Sequence, residues 1–160
     1  MSFATADLCD AHSNLQVAEP IFLDFGGLTS FCGIVATVKV FEDNALVRSL
    51  LEEPGTNRVL VVDGGGSRRC ALVGGNLAKL AASNGWQGLI VHGCIRDSVE
   101  IRSTRVGLKA LATHPRKSEK GLHSGRANQT VAFAGATFEP GHWLYADADG
   151  VVLSPTALLA

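Results

Sequence analysis

Residues 74 to 100, GGNLAKLAASNGWQGLIVHGCIRDSVE, constrain the fold of this chain more than any other stretch. From Asn76 to Asn84 the apolar residues Leu77, Leu80 and Ala81 follow helical spacing, and Gly85 is a natural C-terminal stop. Gly88 to His92 then reads as a short buried strand, followed by a loop from Gly93 to Asp97. This helix-then-strand unit sets Gly74-Gly75-Asn76 at one end and the adjacent cation and carboxylate Arg96-Asp97 at the other. A helix that opens on two glycines leaves backbone N–H groups accessible, which suits an anionic ligand. Arg96 can clamp a carboxylate in bidentate fashion, and Asp97 offers a hard oxygen to a divalent cation. Together they read as a site for a small, metal-chelating organic acid.

The flanking sequence alternates short strands with short helices. Thr5 to Ala11 is expected to be an N-terminal helix capped by Thr5, with Asp7 in its first turn. GIVATVKVF at 33 to 41 alternates and is rich in β-branched residues, as a strand should be. Asp43 or Asn44 can cap a helix running through Glu53, with Leu46, Leu50 and Leu51 on its buried side and Pro54-Gly55 ending it. Arg58 to Val62 is a buried strand leading into the turn Asp63-Gly64-Gly65-Gly66. Gly107 to Ala112, Thr130 to Phe133, Trp143 to Tyr145 and Val151 to Leu153 complete the strands, the last two joined by a hairpin turn at Asp149-Gly150. HPRKSEKGLHSGRAN at 114 to 128 is a long polar loop. Several strands are linked by tight turns rather than helices, so a purely doubly wound parallel sheet is not expected.

Bulk properties narrow the function. With 160 residues and 46% hydrophobic content the chain suits one domain, residues 1 to 160, with a full core. Fourteen basic against fifteen acidic residues give a net charge of −1, no electrostatic footprint for nucleic acid or an anionic membrane. No apolar run approaches the roughly 18 residues of a spanning helix, and MSFATADLCDAH lacks the regions of a signal peptide, so a cytoplasmic protein is the expectation. Cys9, Cys32, Cys70 and Cys94 form no CxxC pair and are expected to be buried free thiols. The 18 glycines and the low charged fraction, 18%, make self-association a reasonable expectation.

On FGGLTSFCG at 25 to 33, KVFEDN at 39 to 44, VLVVDGGGS at 59 to 67, GGNLAKLAASNGWQGLIVHGCIRD at 74 to 97 and YADADGVV at 145 to 152, the chain resembles the RraA-like family over nearly its whole length. That family includes the regulator of ribonuclease E activity A and the class II 4-hydroxy-4-methyl-2-oxoglutarate aldolases. The resemblance implies an α/β domain related to the swivelling β/β/α fold, with a central sheet or barrel-like core flanked by helices, assembled as a homotrimer with its cleft near a subunit interface. Aldolase members have a glycine, twenty intervening residues, Arg-Asp, two residues, then Asp or Glu. Gly75, Arg96, Asp97 and Glu100 match that pattern here. Regulators without lyase chemistry look different at the GGN and Arg-Asp positions.

The activity so implied is cleavage of 4-hydroxy-4-methyl-2-oxoglutarate to two pyruvates, with decarboxylation of oxaloacetate at the same site. By the same resemblance Asp97 holds Mg2+ or Mn2+, and the ion stabilises charge on the 2-oxo oxygen as a Lewis acid. Arg96 orients the substrate carboxylate, and backbone N–H groups of Gly74, Gly75, Asn76 and Leu77 bind its oxygens. Glu100 either binds a metal water or pairs with Arg102 or Arg105. The alternative implied by the same scaffold is a regulator that docks on ribonuclease E or an RNA helicase.

Plainer readings stand beside these. Arg96-Asp97 alone would more often be an exposed ion pair or turn, and Gly74-Gly75 a tight turn. Gly64-Gly65-Gly66-Ser67 lacks the spacing and the Lys of a phosphate loop and reads as a structural turn. Asp147-Ala148-Asp149-Gly150 lacks the later ligands of a calcium loop and reads as a hairpin turn. His12, His92, His114, His123 and His142 show no ligand spacing, although His92 lies on the strand that leads to Arg96. Arg116, Lys117 and Lys120 form a basic loop, either solvated or in contact with a neighbouring subunit or an acidic substrate.

Overall fold

Strand β4 (Arg58–Asp63) shows how the sheet divides the core, because successive side chains of a strand point to opposite faces. Leu60 and Val62 join one buried cluster, Val59 and Val61 another. β6 (Gly88–Ile95) repeats the division, with Leu89 and Val91 on the first side and Ile90 on the second. Together with β3 (Phe31–Lys39) and β7 (Gly107–Thr113) these strands form a parallel core in the order β3-β4-β6-β7. Parallel strands covered on both faces carry nearly unbroken apolar runs.

The computed structural model describes residues 2–121 and 125–160; His123, and with it the middle of the 114 to 128 loop, lies outside the described residues. One face of the sheet is covered by α2 (Ala45–Leu51) and α3 (Gly75–Ser83), which contribute Val47, Leu50, Leu51, Leu77, Ala78 and Ala81 to the first cluster. The other face receives Phe133 and Phe138 from the hairpin of β9 (Val131–Phe133) and β10 (Ala136–Phe138). β11 (Trp143–Asp147), β12 (Gly150–Ser154) and β1 (Gln16–Val17) extend the sheet antiparallel beyond β3, and β2 (Leu23–Asp24) extends it beyond β7. β5 (Ala71–Val73) adds to β6 and β8 (Arg126–Ala127) to β3, giving a mixed ten-stranded sheet flanked by few helices. Phe31 lies across the paired glycines Gly88 and Gly107, and a methyl group at either would run into its ring.

Several local expectations shift. Thr5 does not cap α1 (Thr5–Ala11); Ala4 precedes the helix, and the Thr5 N–H and hydroxyl both donate to Asp147, each at 2.7 Å. α2 is shorter than expected. Its first amide, Ala45 N–H, donates to Asp43 Oδ1 at 2.9 Å, while the Asn44 amide turns away to donate to the Leu72 carbonyl at 2.9 Å. Val47, rather than Leu46, is the fully buried residue of its first turn. The loop expected from Gly93 is strand as far as Ile95, because β5 supplies a hydrogen-bonding partner past the end of β4 and buries Cys94 and Ile95. All four cysteines are free, but Cys9 is exposed and only Cys70 and Cys94 are buried. Among the described residues no helix is long and apolar enough to cross a membrane.

Candidate functional site

The site forms where β5 and β6 end side by side. β5 runs through Gly74 into α3, and β6 runs through Arg96 and Asp97 into the short helix α4 (Ser98–Arg102). The Arg96 N–H donates to the Val73 carbonyl at 2.9 Å, which locks the two strand exits together. Asp97 adopts the left-handed conformation, φ 57° and ψ 41°, which aspartate tolerates better than most residues. That turn sends the chain into α4 and swings the Asp97 carboxylate back across the opening of α3. Its Oδ2 accepts the Gly75 N–H at 2.9 Å, and a Cβ at Gly74 would lie 2.9 Å from the same oxygen and 3.5 Å from Arg96 Cγ. Gly74 is extended, at φ −119° and ψ −170°, so its role is close approach and not unusual backbone angles.

The consequence is a cleft of about 120 Å³ whose lining includes Gly74, Asn76, Leu77, Arg96 and Asp97. These are five of the seven residues singled out in the sequence. Gly75 is buried behind them, with its amide already given to Asp97. The first-turn amides of Asn76 and Leu77 have no acceptor within the helix. Glu100 lies outside the lining. Its carboxylate packs against Gly75, where a Cβ would collide with it, and it pairs with Lys79 rather than with Arg102 or Arg105. Asp97 is the left-handed residue that precedes α4, and Glu100 lies within that helix.

The rest of the lining comes from segments remote in sequence. Asn44 and Arg48 arrive on α2, and Lys117, Ser118 and Lys120 on the loop after β7. The basic character of that loop was visible in the sequence, but its position was not. Ala71 N–H donates to the Arg116 carbonyl at 2.8 Å and Glu119 N–H to that of Glu42 at 3.2 Å, so the loop lies along β5.

A hard divalent cation fits the donors present. Asp97 is exposed, with Oδ2 tied to Gly75 and no hydrogen bond to Oδ1 from any described residue. One carboxylate completed by water and substrate oxygens is the usual manner of holding Mg2+. Among the described residues no group of three or more His, Cys, Asp or Glu comes together, which is the arrangement zinc would favour.

The other sequence features have structural partners. The Gly64–Gly66 turn spends its amides internally: those of Gly64 and Gly66 donate to the His92 carbonyl at 3.2 and 3.1 Å, and that of Gly65 to Asp63 Oδ1 at 3.0 Å. His92 stacks on Phe133 with ring centroids 4.5 Å apart and approaches Asp63 Oδ1 at 3.7 Å, outside the cleft lining. Asp147 accepts from Thr5 and from the Asp149 amide within the β11–β12 hairpin turn.

Such a molecule is a mixed α/β protein with a small polar cleft at the carboxyl ends of parallel strands. It belongs to the RraA-like family: the family description Aldolase/RraA matches residues 5–153. A Burkholderia mallei (strain SAVP1) protein named, provisionally, 4-hydroxy-4-methyl-2-oxoglutarate aldolase is 58% identical, with 99% of both chains covered. The RNA-processing inhibitor RraA from Thermus thermophilis superposes with a TM-score of 0.96 at 46% identity, covering 100% of this chain and 97% of that one. A Geobacillus kaustophilus HTA426 structure described as S-adenosylmethionine:2-dimethylmenaquinone methyltransferase gives 0.95 at 50% identity, covering 98% and 97%. One scaffold thus carries three different functional names.

Proposed function

We propose that the protein is a carbon–carbon lyase that cleaves 4-hydroxy-4-methyl-2-oxoglutarate into two molecules of pyruvate and decarboxylates oxaloacetate. The observation that carries this reading is the convergence of Arg96, Asp97 and the opening of α3 on one small cleft. Arg96 has no side-chain partner among the described residues and is free to take the 1-carboxylate as a bidentate pair. The Asn76 and Leu77 amides add donors at the positive end of α3. Cleavage breaks the C3–C4 bond: the 4-hydroxyl loses its proton, C4 becomes the carbonyl carbon of one pyruvate, and the electron pair moves through C3 to the 2-oxo oxygen. Protonation at C3 gives the second pyruvate. Oxaloacetate reaches the same enolate by losing carbon dioxide.

Asp97 is the residue that would hold Mg2+ or Mn2+, and such an ion supplies Lewis-acid stabilisation of the 2-oxo oxygen. The Gly75 amide fixes Asp97 in place, and the Glu100–Lys79 pair braces the glycine from behind. The residues named in the cleft include no aromatic side chain to stack a purine, which favours a small acid over a methyl donor of nucleoside type. Purified protein should release pyruvate from both acids with Mg2+ or Mn2+ and stop in EDTA, and Asp97→Ala should lose at least about a hundredfold in kcat while keeping its circular dichroism. Absence of metal-dependent turnover on either acid rejects the proposal.

The close likeness to an RNA-processing inhibitor motivates a second reading, a regulator that docks on ribonuclease E or an RNA helicase. A pull-down with a ribonuclease E scaffold segment together with an RNA-cleavage assay separates the two, and absence of binding at micromolar concentration counts against regulation. For either role we propose a homotrimer, supported by the exposed apolar side chains of Val17, Ile21 and Leu23 and testable by solution mass.

A further inference from the structure

Lys39 on β3 and Arg126 on β8 are direct partners in an antiparallel register. Side chains at such positions rise from the same face, and like charges placed directly opposite repel. Lys39 stands 4.0 Å from Asp63 Oδ2, but its side chain is 65% exposed and the pair is weak. Arg126 has neither an ion pair nor a side-chain hydrogen bond among the described residues. The chain thus sets two cations together and gives one of them no counter-charge.

Both cations line a cleft of about 210 Å³ together with Val40, Phe41 and Gly65, and none of these residues lines the cleft that holds Arg96 and Asp97. Phe41 is 50% exposed, whereas its neighbour Val40 is buried. The Phe41 ring lies close against Gly65, the left-handed glycine of the 64 to 66 turn at φ 67°, where a Cβ would be 3.0 Å from Phe41 Cδ2. The Arg69 guanidinium carbon lies 5.8 Å from the ring centroid, and Arg69 is itself paired with Glu42 at 2.6 Å. The cleft therefore joins an aromatic surface, packed on one side and open on the other, to a guanidinium without a partner. Apart from Arg126 and Lys39 its lining holds no polar side chain, so nothing in it suits the hydroxyls of a sugar.

We propose that this cleft is a binding site for a small aromatic carboxylate, its ring against Phe41 and its carboxylate between Arg126 and Lys39. The guanidinium takes a carboxylate in bidentate fashion, and the added negative charge relieves the repulsion between the two cations. Ring against ring contributes apolar contact and offset stacking. The volume lies below the roughly 300 Å³ at which drug-sized sites begin, which suits a single ring. The site shares no residue with the Arg96–Asp97 cleft and stands whether or not the lyase reading does.

The test titrates benzoate into the full-length protein and follows saturation transfer to its ring protons. Wild type should bind with a Kd of about 1 mM or tighter. Cyclohexanecarboxylate, which keeps the charge without the aromatic ring, and benzyl alcohol, which keeps the ring without the charge, should each bind more weakly. Arg126→Met should weaken benzoate about tenfold, and Arg126→Lys should recover part of that loss. Phe41→Leu should remove the preference for benzoate over cyclohexanecarboxylate while circular dichroism stays unchanged. Arg96→Met, in the other cleft, should leave benzoate binding as it is. The proposal is overturned if benzoate does not bind at several times the expected Kd, if either comparison compound binds as tightly, or if binding is lost in Arg96→Met and kept in Arg126→Met.

Discussion

Gly74→Ala is the most incisive single-atom perturbation of this site. The backbone at Gly74 is extended and accepts any residue, so the substitution introduces no conformational strain. The new methyl would lie 2.9 Å from Asp97 Oδ2, and relief to ordinary carbon–oxygen contact of about 3.4 Å displaces the carboxylate by about 0.5 Å. The displacement stretches the Gly75–Asp97 hydrogen bond from 2.9 Å toward the limit at which such bonds stop contributing. Asp97 is exposed and can yield, so the stability cost should stay near 1 kcal/mol, a shift of about 2–4 °C in Tm. Catalysis is less forgiving: misplacement of a positioned group by 1 Å costs on the order of a hundredfold, so half that displacement should lower kcat about tenfold. Coupling pyruvate release to lactate dehydrogenase measures kcat, and scanning fluorimetry measures Tm. Unchanged kcat in a well-folded Gly74→Ala protein would mean that the Asp97 carboxylate does not need the position described.

Three further outcomes follow from the packing and the charges. Burial pushes the Asp147 carboxyl up, but hydrogen bonds from Thr5, Asp149 and Gly150 outweigh it and hold the group below its ordinary value. Its contribution is therefore complete above the unfolded carboxylate range, about 3.9, and is lost as pH falls through the lower folded value; Thr5→Ala should flatten that acid limb in denaturant titrations, and an equal loss at every pH would contradict this. Asp24→Ala leaves the buried Lys109, 2.9 Å away, without its carboxylate and should cost about 3 kcal/mol in chemical denaturation, whereas Lys109→Met should cost less than about 1 kcal/mol. Phe31→Ala opens a cavity over Gly88 and Gly107 and should cost about 3–5 kcal/mol by the same measurement.

The parts of the fold readable from sequence are those whose burial is written locally. β4 and β6 are covered on both faces and appear as continuous apolar runs, and α3 shows its buried Leu77 and Ala81 at helical spacing before a glycine. The shorter pieces left no such trace. β5 pairs with the end of β6, where Cys94 and Ile95 lie between it and β7, and β1, β2 and β8 are two-residue additions to strands distant in the chain. Such strands are specified by their partners and not by their own alternation. Asn44 is the N-cap of α2 but its side chain makes no capping bond; its amide nitrogen donates to the Leu72 carbonyl, 28 residues away, and Asp43 accepts the Ala45 N–H.

The site divides along the same line. Arg96, Asp97 and the glycine-opened helix occupy consecutive turns of one β–α–β stretch, so their convergence follows from two adjacent strands ending at the same level. Glu100, four residues beyond Arg96, stands against Gly75 and pairs with Lys79, outside the cleft lining. Lys117 and Arg48 are the reverse case, ordinary surface cations in sequence that become cleft residues only when the loop after β7 bridges to Ala71 and α2 packs over the same end of the sheet. The residues of the proposed lyase chemistry therefore lie in a local motif, whereas the other charged residues of the cleft arrive on long-range segments. Relatives can then keep the first and vary the second, a physical route by which one backbone comes to bear several functional names.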